Sequence, residues 1–149
     1  MFVGSSLSGT LGIHGVFVLD IGNPASPVLV DSLSLPENIR DVAVKDSFVF
    51  AACIDKNVYV LRFVNGDSGL VSVDTILAGS GEIQGLSIQG NYCYATTYDG
   101  GEITSIDVSD PANAIVAGQC NTDGLPSLPL LPAGSAYPAP LKPVPAQMG

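Results

Sequence analysis

A solitary histidine, three cysteines and a surplus of carboxylates are the groups with which this chain could do chemistry. His14 lies in Gly12-Ile13-His14-Gly15, in a loop ahead of an apolar run, so any nucleophile and base would have to be assembled around it. Neither a Gly-x-Ser-x-Gly elbow nor a Ser-x-x-Lys pair occurs, and a loop histidine without partners is ordinarily only solvated. Cys53, Cys93 and Cys120 contain no CxxC, and their spacing fits neither a disulfide scaffold nor a zinc ribbon. Small buried hydrophobes are what such thiols are expected to be, and one stays unpaired if the other two bond. Gly79-Ser80-Gly81-Glu82-Ile83-Gln84-Gly85 superficially resembles a phosphate-cradling loop. Its third glycine is one residue late, however, and neither a helix signal nor a Lys-Ser or Lys-Thr follows, so nucleotide and dinucleotide cofactors drop out. Calcium needs several oxygens converging within a short loop. Asn65-Gly66-Asp67-Ser68 and Tyr98-Asp99-Gly100-Gly101-Glu102 each offer too few and read as turns, which leaves only a channel ion assembled from several units. The sequence therefore assigns no catalytic residue, no cofactor-binding residue and no metal ligands.

The elements around these groups are bounded by composition. In 149 residues, 46% are hydrophobic and 13% charged, and 14 acidic against 5 basic side chains give a net charge of -9. One domain of this length can bury a sizeable core. Arg40, Lys45, Lys56, Arg62 and Lys142 are scattered among carboxylates, so nucleic acid and anionic membrane surfaces are poor partners. No run approaches the roughly 20 apolar residues that span a bilayer. The mean hydropathy of +0.40 then means buried strands and not membrane insertion. Met1 to Ser6 lacks the basic region and long apolar stretch of a secretory signal and is already strand-like, so the chain either stays inside the cell or is an internal piece.

Internal repetition organises the chain. Val16-Phe17-Val18-Leu19-Asp20-Ile21 recurs as Val58-Tyr59-Val60-Leu61-Arg62-Phe63 and as Ile103-Thr104-Ser105-Ile106-Asp107-Val108, at offsets of 42 and 45. Independently, Asp41 to Ala52 matches Gly85 to Thr96 at an offset of 44. A turn completes the pattern, where Asp20-Ile21-Gly22-Asn23-Pro24-Ala25-Ser26 answers Asp107-Val108-Ser109-Asp110-Pro111-Ala112-Asn113. Asn or Asp before Pro suits a type I turn, because the short side chain accepts a local backbone bond while Pro fixes the next φ. The middle unit instead uses Val64-Asn65-Gly66-Asp67-Ser68-Gly69, whose Asn-Gly supplies a hairpin turn. Each unit reads as four short strands, A to D. In the fullest one, A is near Asp41 to Val44, B near Phe48 to Cys53, C near Val58 to Phe63 and D near Leu70 to Ala78, with no helix signalled. Runs such as Phe48-Val49-Phe50-Ala51-Ala52 are apolar on both faces, as in sheets that stack face to face in a propeller.

These residues resemble the LVIVD-repeat propeller proteins. The naming segment is similar to Val16-Phe17-Val18-Leu19-Asp20, and the turn after it to Asp107-Val108-Ser109-Asp110-Pro111-Ala112-Asn113. The resemblance runs from Met1 to about Gly124. Arg62 stands where Asp is expected, the middle unit lacks the Pro turn, and Thr104 and Ser105 dilute the third apolar run. WD-repeat propellers fit less well, since there is no Trp. The resemblance implies a β-propeller, commonly exported or at the cell surface of bacteria and archaea, with no general catalytic reaction attached.

The expectation is thus an all-β chain, a partial β-propeller of about three four-stranded antiparallel blades near 1–36, 37–80 and 81–124. A disordered, proline-rich tail or linker over 125–149 follows. Closed propellers use about four to eight blades, so closure calls for self-association or further blades of a larger parent. If A is the inner strand, the B–C and D–A loops emerge on one end. That end would carry Glu37, Asn38, Arg40, Asp55, Lys56, Asn57, Glu82, Gln84, Tyr98, Asp99 and Glu102, with Tyr98 as an anchor for a protein or glycan. The expected function is a non-catalytic interaction or surface-display scaffold. The alternative is part of a propeller hydrolase or lyase completed by blades absent here.

Overall fold

Period-two alternation interrupted by Lys-Asp-Ser, Gly-Asn and Asn-Pro becomes a succession of short strands, because each interruption supplies a turn and each run a pleated apolar face. The computed structural model describes residues 14–64, 69–99 and 101–122, together with the backbone of 2–6. Within them the strands are β1 (Phe2–Ser6), β2 (His14–Asp20), β3 (Val28–Ser34), β4 (Ile39–Lys45), β5 (Phe48–Cys53), β6 (Asn57–Val64), β7 (Gly69–Leu77), β8 (Ile83–Gln89), β9 (Tyr92–Thr97), β10 (Glu102–Asp107) and β11 (Ile115–Asn121). No α-helix occurs among the described residues, where the single helical element is the 3₁₀ turn Pro111–Asn113.

The strands form three antiparallel meanders, ordered β1-β2-β3, β4-β5-β6-β7 and β8-β9-β10-β11. The chain is therefore all-β, and the strands expected near Asp41 to Ala78 are β4 to β7. In the first sheet β1, β2 and β3 occupy the B, C and D positions. The proline-rich segment 125–149, and with it Lys142, lies outside the described residues, as does Asn65-Gly66-Asp67-Ser68.

Repetition reaches the irregularities. The C–D pairing shifts register at Val18/Leu19, Val60/Leu61 and Ser105/Ile106, and the A–B pairing shifts at Ile39/Asp41 and Ile83/Gly85. Such bulges sharpen the local twist, so their recurrence gives the sheets one shape. The A–B turns agree too, with Asp46 at φ 54° and its counterpart Gly90 at φ 59°. A left-handed residue is needed at that point, which Gly meets freely and Asp tolerates.

Two apolar layers lie between the sheets. Val16, Val18 and Leu35 of the first sheet pack with Val49, Ala51, Cys53 and Leu61 of the second. On the other face of the second sheet, Phe50, Ala52, Val58, Val60 and Ile76 pack with Leu86, Cys93, Ala95 and Ile106 of the third. The apolar run at Phe48 to Ala52 thus has a physical cause, since β5 is covered on both sides. Burying a side chain such as Phe50 contributes about 1.5–3 kcal/mol.

Polar bonds tie neighbouring sheets together. Leu86 N–H donates to Asp41 Oδ2 at 2.8 Å. Lys45 Nζ donates to Gly90 O, Asn91 Oδ1 and Val108 O at 3.1, 2.9 and 3.2 Å. Between the first two sheets Leu70 N–H donates to Asp31 Oδ2. Gly69 sits at φ +56° with Asp31 directly against it, so both backbone conformation and space exclude a side chain there.

Candidate functional site

Two ends of the sheets carry the turns. At one end lie the C–D connections, where the repeated Asp does structural work. Gly22 N–H donates to Asp20 Oδ1 at 2.8 Å, and Ser109 N–H donates to Asp107 Oδ1 at 2.9 Å. Three residues on, Ala25 N–H donates to Asn23 Oδ1 and Ala112 N–H to Asp110 Oδ1, each at 3.2 Å. The hydrogen bonds from Ser109 hold the Asp107 carboxyl below its ordinary range. Arg62 offers no acceptor at the same point of the middle unit; its guanidinium lies over the Phe48 ring, 5.8 Å from the centroid.

The other end gathers the D–A connections and B–C turns, and with them the residues proposed from sequence. Ile54 N–H donates to Asn38 O, Tyr98 N–H to Glu82 O, and Ala78 N–H to Lys56 O, which fastens the B–C turns of the second and third sheets to the connections beside them. Arg40 and Glu82 form an ion pair at 3.3 Å, from the start of β4 to the connection ahead of β8. Both side chains are exposed, so the pair contributes little stability. Ser80 N–H donates to Glu102 Oε2 at 2.9 Å, and Glu102 N–H donates to Thr97 Oγ1 at 3.0 Å.

Asp55 takes bonds from Asn57 Nδ2 at 3.0 Å and from Tyr59 OH at 2.6 Å. Tyr59 is absent from the residues proposed from sequence; it lies on β6 two residues after Asn57, on the same strand face, and reaches back to Asp55 of the turn. Burial and the Asp55 hydrogen bond push its phenol up. Lys56 is exposed, at φ 73°, and forms the tight point of the turn. Tyr98 is 61% exposed and Asp99 exposed beside it. No hydrogen bond among the described residues joins Glu37, Gln84 or Asp99 to the rest of the set. Asn57 and Glu102 open β6 and β10 as paired ladder residues, whereas Arg40 and Gln84 lie in β4 and β8 at the A–B register shifts, where they have no partner across the ladder.

Two placements differ from expectation. His14 opens β2 instead of sitting in a loop; its carbonyl accepts Leu35 N–H at 2.8 Å, and its Nδ1 is buried without a partner. Cys120 is exposed on the edge strand β11, whereas Cys53 and Cys93 are fully buried. Every residue of β11 is exposed, apolar ones included, so Cys120 shares the exposure of its whole strand. Burial, with the charges of Asp55 and Glu37, pushes the Cys53 thiol up to about 12, and burial with Asp41 does the same to Cys93, so neither is a thiolate nucleophile near neutrality. Among the described residues no group of three or more His, Cys, Asp or Glu could hold a metal ion, and no helix is long and apolar enough to cross a membrane.

These features define an all-β repeat protein with one antiparallel meander per repeat. The model of the LVIVD repeat matches residues 13–34 and 80–122. The unit between them, with Arg62 in place of the capping Asp, lies outside both matched stretches. No curated protein matches the chain.

Proposed function

We propose that this chain is a repeat segment of a β-propeller, with blade units near 1–36, 37–80 and 81–124, that works as a non-catalytic interaction or surface-display scaffold. The observation that carries this reading is the equivalence of the two apolar layers, in which Val16 and Val18 occupy one layer as Val58 and Val60 occupy the other. Blades of a propeller meet through repeated contacts of this kind. The end bearing Arg40, Glu82 and Tyr98 is the binding surface, since an exposed aromatic among polar groups suits an anchor role. The partner is a protein or glycan; a chain of net charge -9 has no basic stripe for nucleic acid.

The test is binding of the full chain to immobilised protein and glycan panels, followed by Tyr98→Ala and Arg40→Ala. Capture weakened about tenfold or more, with circular dichroism and melting temperature unchanged, supports this surface. Undiminished capture by both variants removes that end of the sheets from the function.

A further inference from the structure

The two joints between sheets are fastened in different ways. Where the second sheet meets the third, the ties run along the opening strands of the two meanders. There β4 packs against β8, and Asp41 takes the Leu86 N–H. The Lys45 ammonium directs its donors at Gly90, Asn91 and Val108. At the outer strands the 3₁₀ turn Pro111–Asn113 lies against β7. Val73, the extra residue of the β7 bulge, packs into the apolar layer shared by the two sheets.

Where the first sheet meets the second, the matching positions behave differently. Val42 N–H, the counterpart of Leu86 N–H, donates to Asp41 Oδ1 of its own strand at 2.8 Å. Ser47 stands where Asn91 stands, and offers a shorter side chain. Val30, the extra residue of the β3 bulge, is 55% exposed where Val73 is packed. Among the described residues, the side-chain tie of this joint lies on the closing strands instead, where Asp31 Oδ2 accepts Leu70 N–H. Asp74, at the position of Asp31 in β7, bonds only its neighbour's N–H, that of Thr75, at 2.8 Å.

We propose that the joint between the β1–β3 and β4–β7 sheets is a seam that opens as a unit while the joint between β4–β7 and β8–β11 stays closed, and that the Asp31 carboxylate on Leu70 N–H is its latch. Proteins open in cooperative units, and those that open first have the fewest stabilising contacts with the rest. A carboxylate on a backbone N–H is a strong bond, but here it acts at one point. The other joint is held at several points along β4. Opening of the seam bares Val49, Ala51, Cys53 and Leu61, whereas Cys93 stays within the second apolar layer. The two buried thiols therefore report the two joints separately.

The experiment is thiol labelling of the full native chain in denaturant below the unfolding transition, each site's rate being normalised to its rate in the unfolded chain. Cys53 should label about tenfold or more faster than Cys93. Its rate should also climb with denaturant, because opening exposes the surface between two sheets. Asp31→Ala should speed Cys53 labelling several-fold and leave Cys93 unchanged. That effect has to cross the sheet, since Leu70 lies at the start of β7 beside the C–D turn and Cys53 ends β5 at the other end. Equal normalised rates, or Cys93 labelling first, overturn the proposal. So does a Cys53 rate indifferent to denaturant, which is fraying of the adjacent turn, or an Asp31→Ala chain in which Cys53 is unchanged or both thiols speed up alike. Should Asp31→Ala misfold, Asp31→Asn is read by the same outcomes, since it keeps the shape and drops the charge. Tyr98→Ala leaves both rates untouched, so the loop-end reading and this one fail separately.

Discussion

The β4–β7 and β8–β11 sheets share strand order, pairing, bulge positions and turn geometry, yet one is apolar on both faces and the other on one. Phe50 is fully buried, while Tyr94 at the same position is half-buried beside Tyr92, their ring centroids 6.5 Å apart. The backbone therefore does not decide the chemistry of a face. What decides it is the neighbour that face meets: a covered face gains by shedding polar atoms, and an uncovered one tolerates hydroxyls that water satisfies.

The strongest way to break this comparison is to truncate the same position in both sheets. Phe50→Ala should cost about 3–5 kcal/mol of folding free energy by denaturant unfolding, and Tyr94→Ala about 1 kcal/mol or less. Equal losses would mean that the two faces are covered alike.

A second contrast comes from the thiols. Cys53 lies in the doubly covered sheet, and its counterpart in the other is Thr97. The native thiols hold their protons up to about 12 from an ordinary 9.0, whereas the unfolded chain releases them near that ordinary value. Stability should consequently fall as pH rises from 9 toward 12, by at most roughly 1.4 kcal/mol per pH unit for each thiol. Cys53→Thr should remove its share of that slope. In the native state at pH 8 a thiol reagent should label Cys120 alone, and all three cysteines after denaturation; rapid labelling of Cys53 in the native state would contradict its burial.

Smallest is the polar tie. Lys45→Met removes three bonds from Nζ to the next sheet and should cost about 1 kcal/mol, while Gln89→Met at the matching position should stay within about 0.5 kcal/mol. Comparable effects would show that Gln89 also ties down a neighbour.

Much of this architecture is legible in the residues because its determinants are local. The alternation in β4 to β6 and the Asn-Pro and Asp-Pro turns follow from side chains acting within a few residues. The capping role of Asp20 and Asp107 is of the same kind, a bond reaching two residues ahead. Arg62 marks in advance the unit that lacks this cap. The loop end is legible only as a set of positions. Its ion pair joins residues 42 apart, and the contact between Ser80 and Glu102 spans 22, so no window of sequence displays either.

His14 and Cys120 differ from expectation because their surroundings are set by remote strands. A histidine in Gly12-Ile13-His14-Gly15 looks like loop, and a cysteine without a partner motif looks buried. Yet the strand bearing His14 starts early because it pairs with β1 and β3, and the strand bearing Cys120 is exposed along its whole length. Period, turn chemistry and net charge were determined by the sequence alone, since each depends on residue type and short-range spacing. Tertiary structure decided which faces are covered, which polar groups reach across sheets, and which of two equivalent positions is core. Those outcomes depend on the approach of segments remote in the chain, and only the folded arrangement brings them within hydrogen-bonding and van der Waals range.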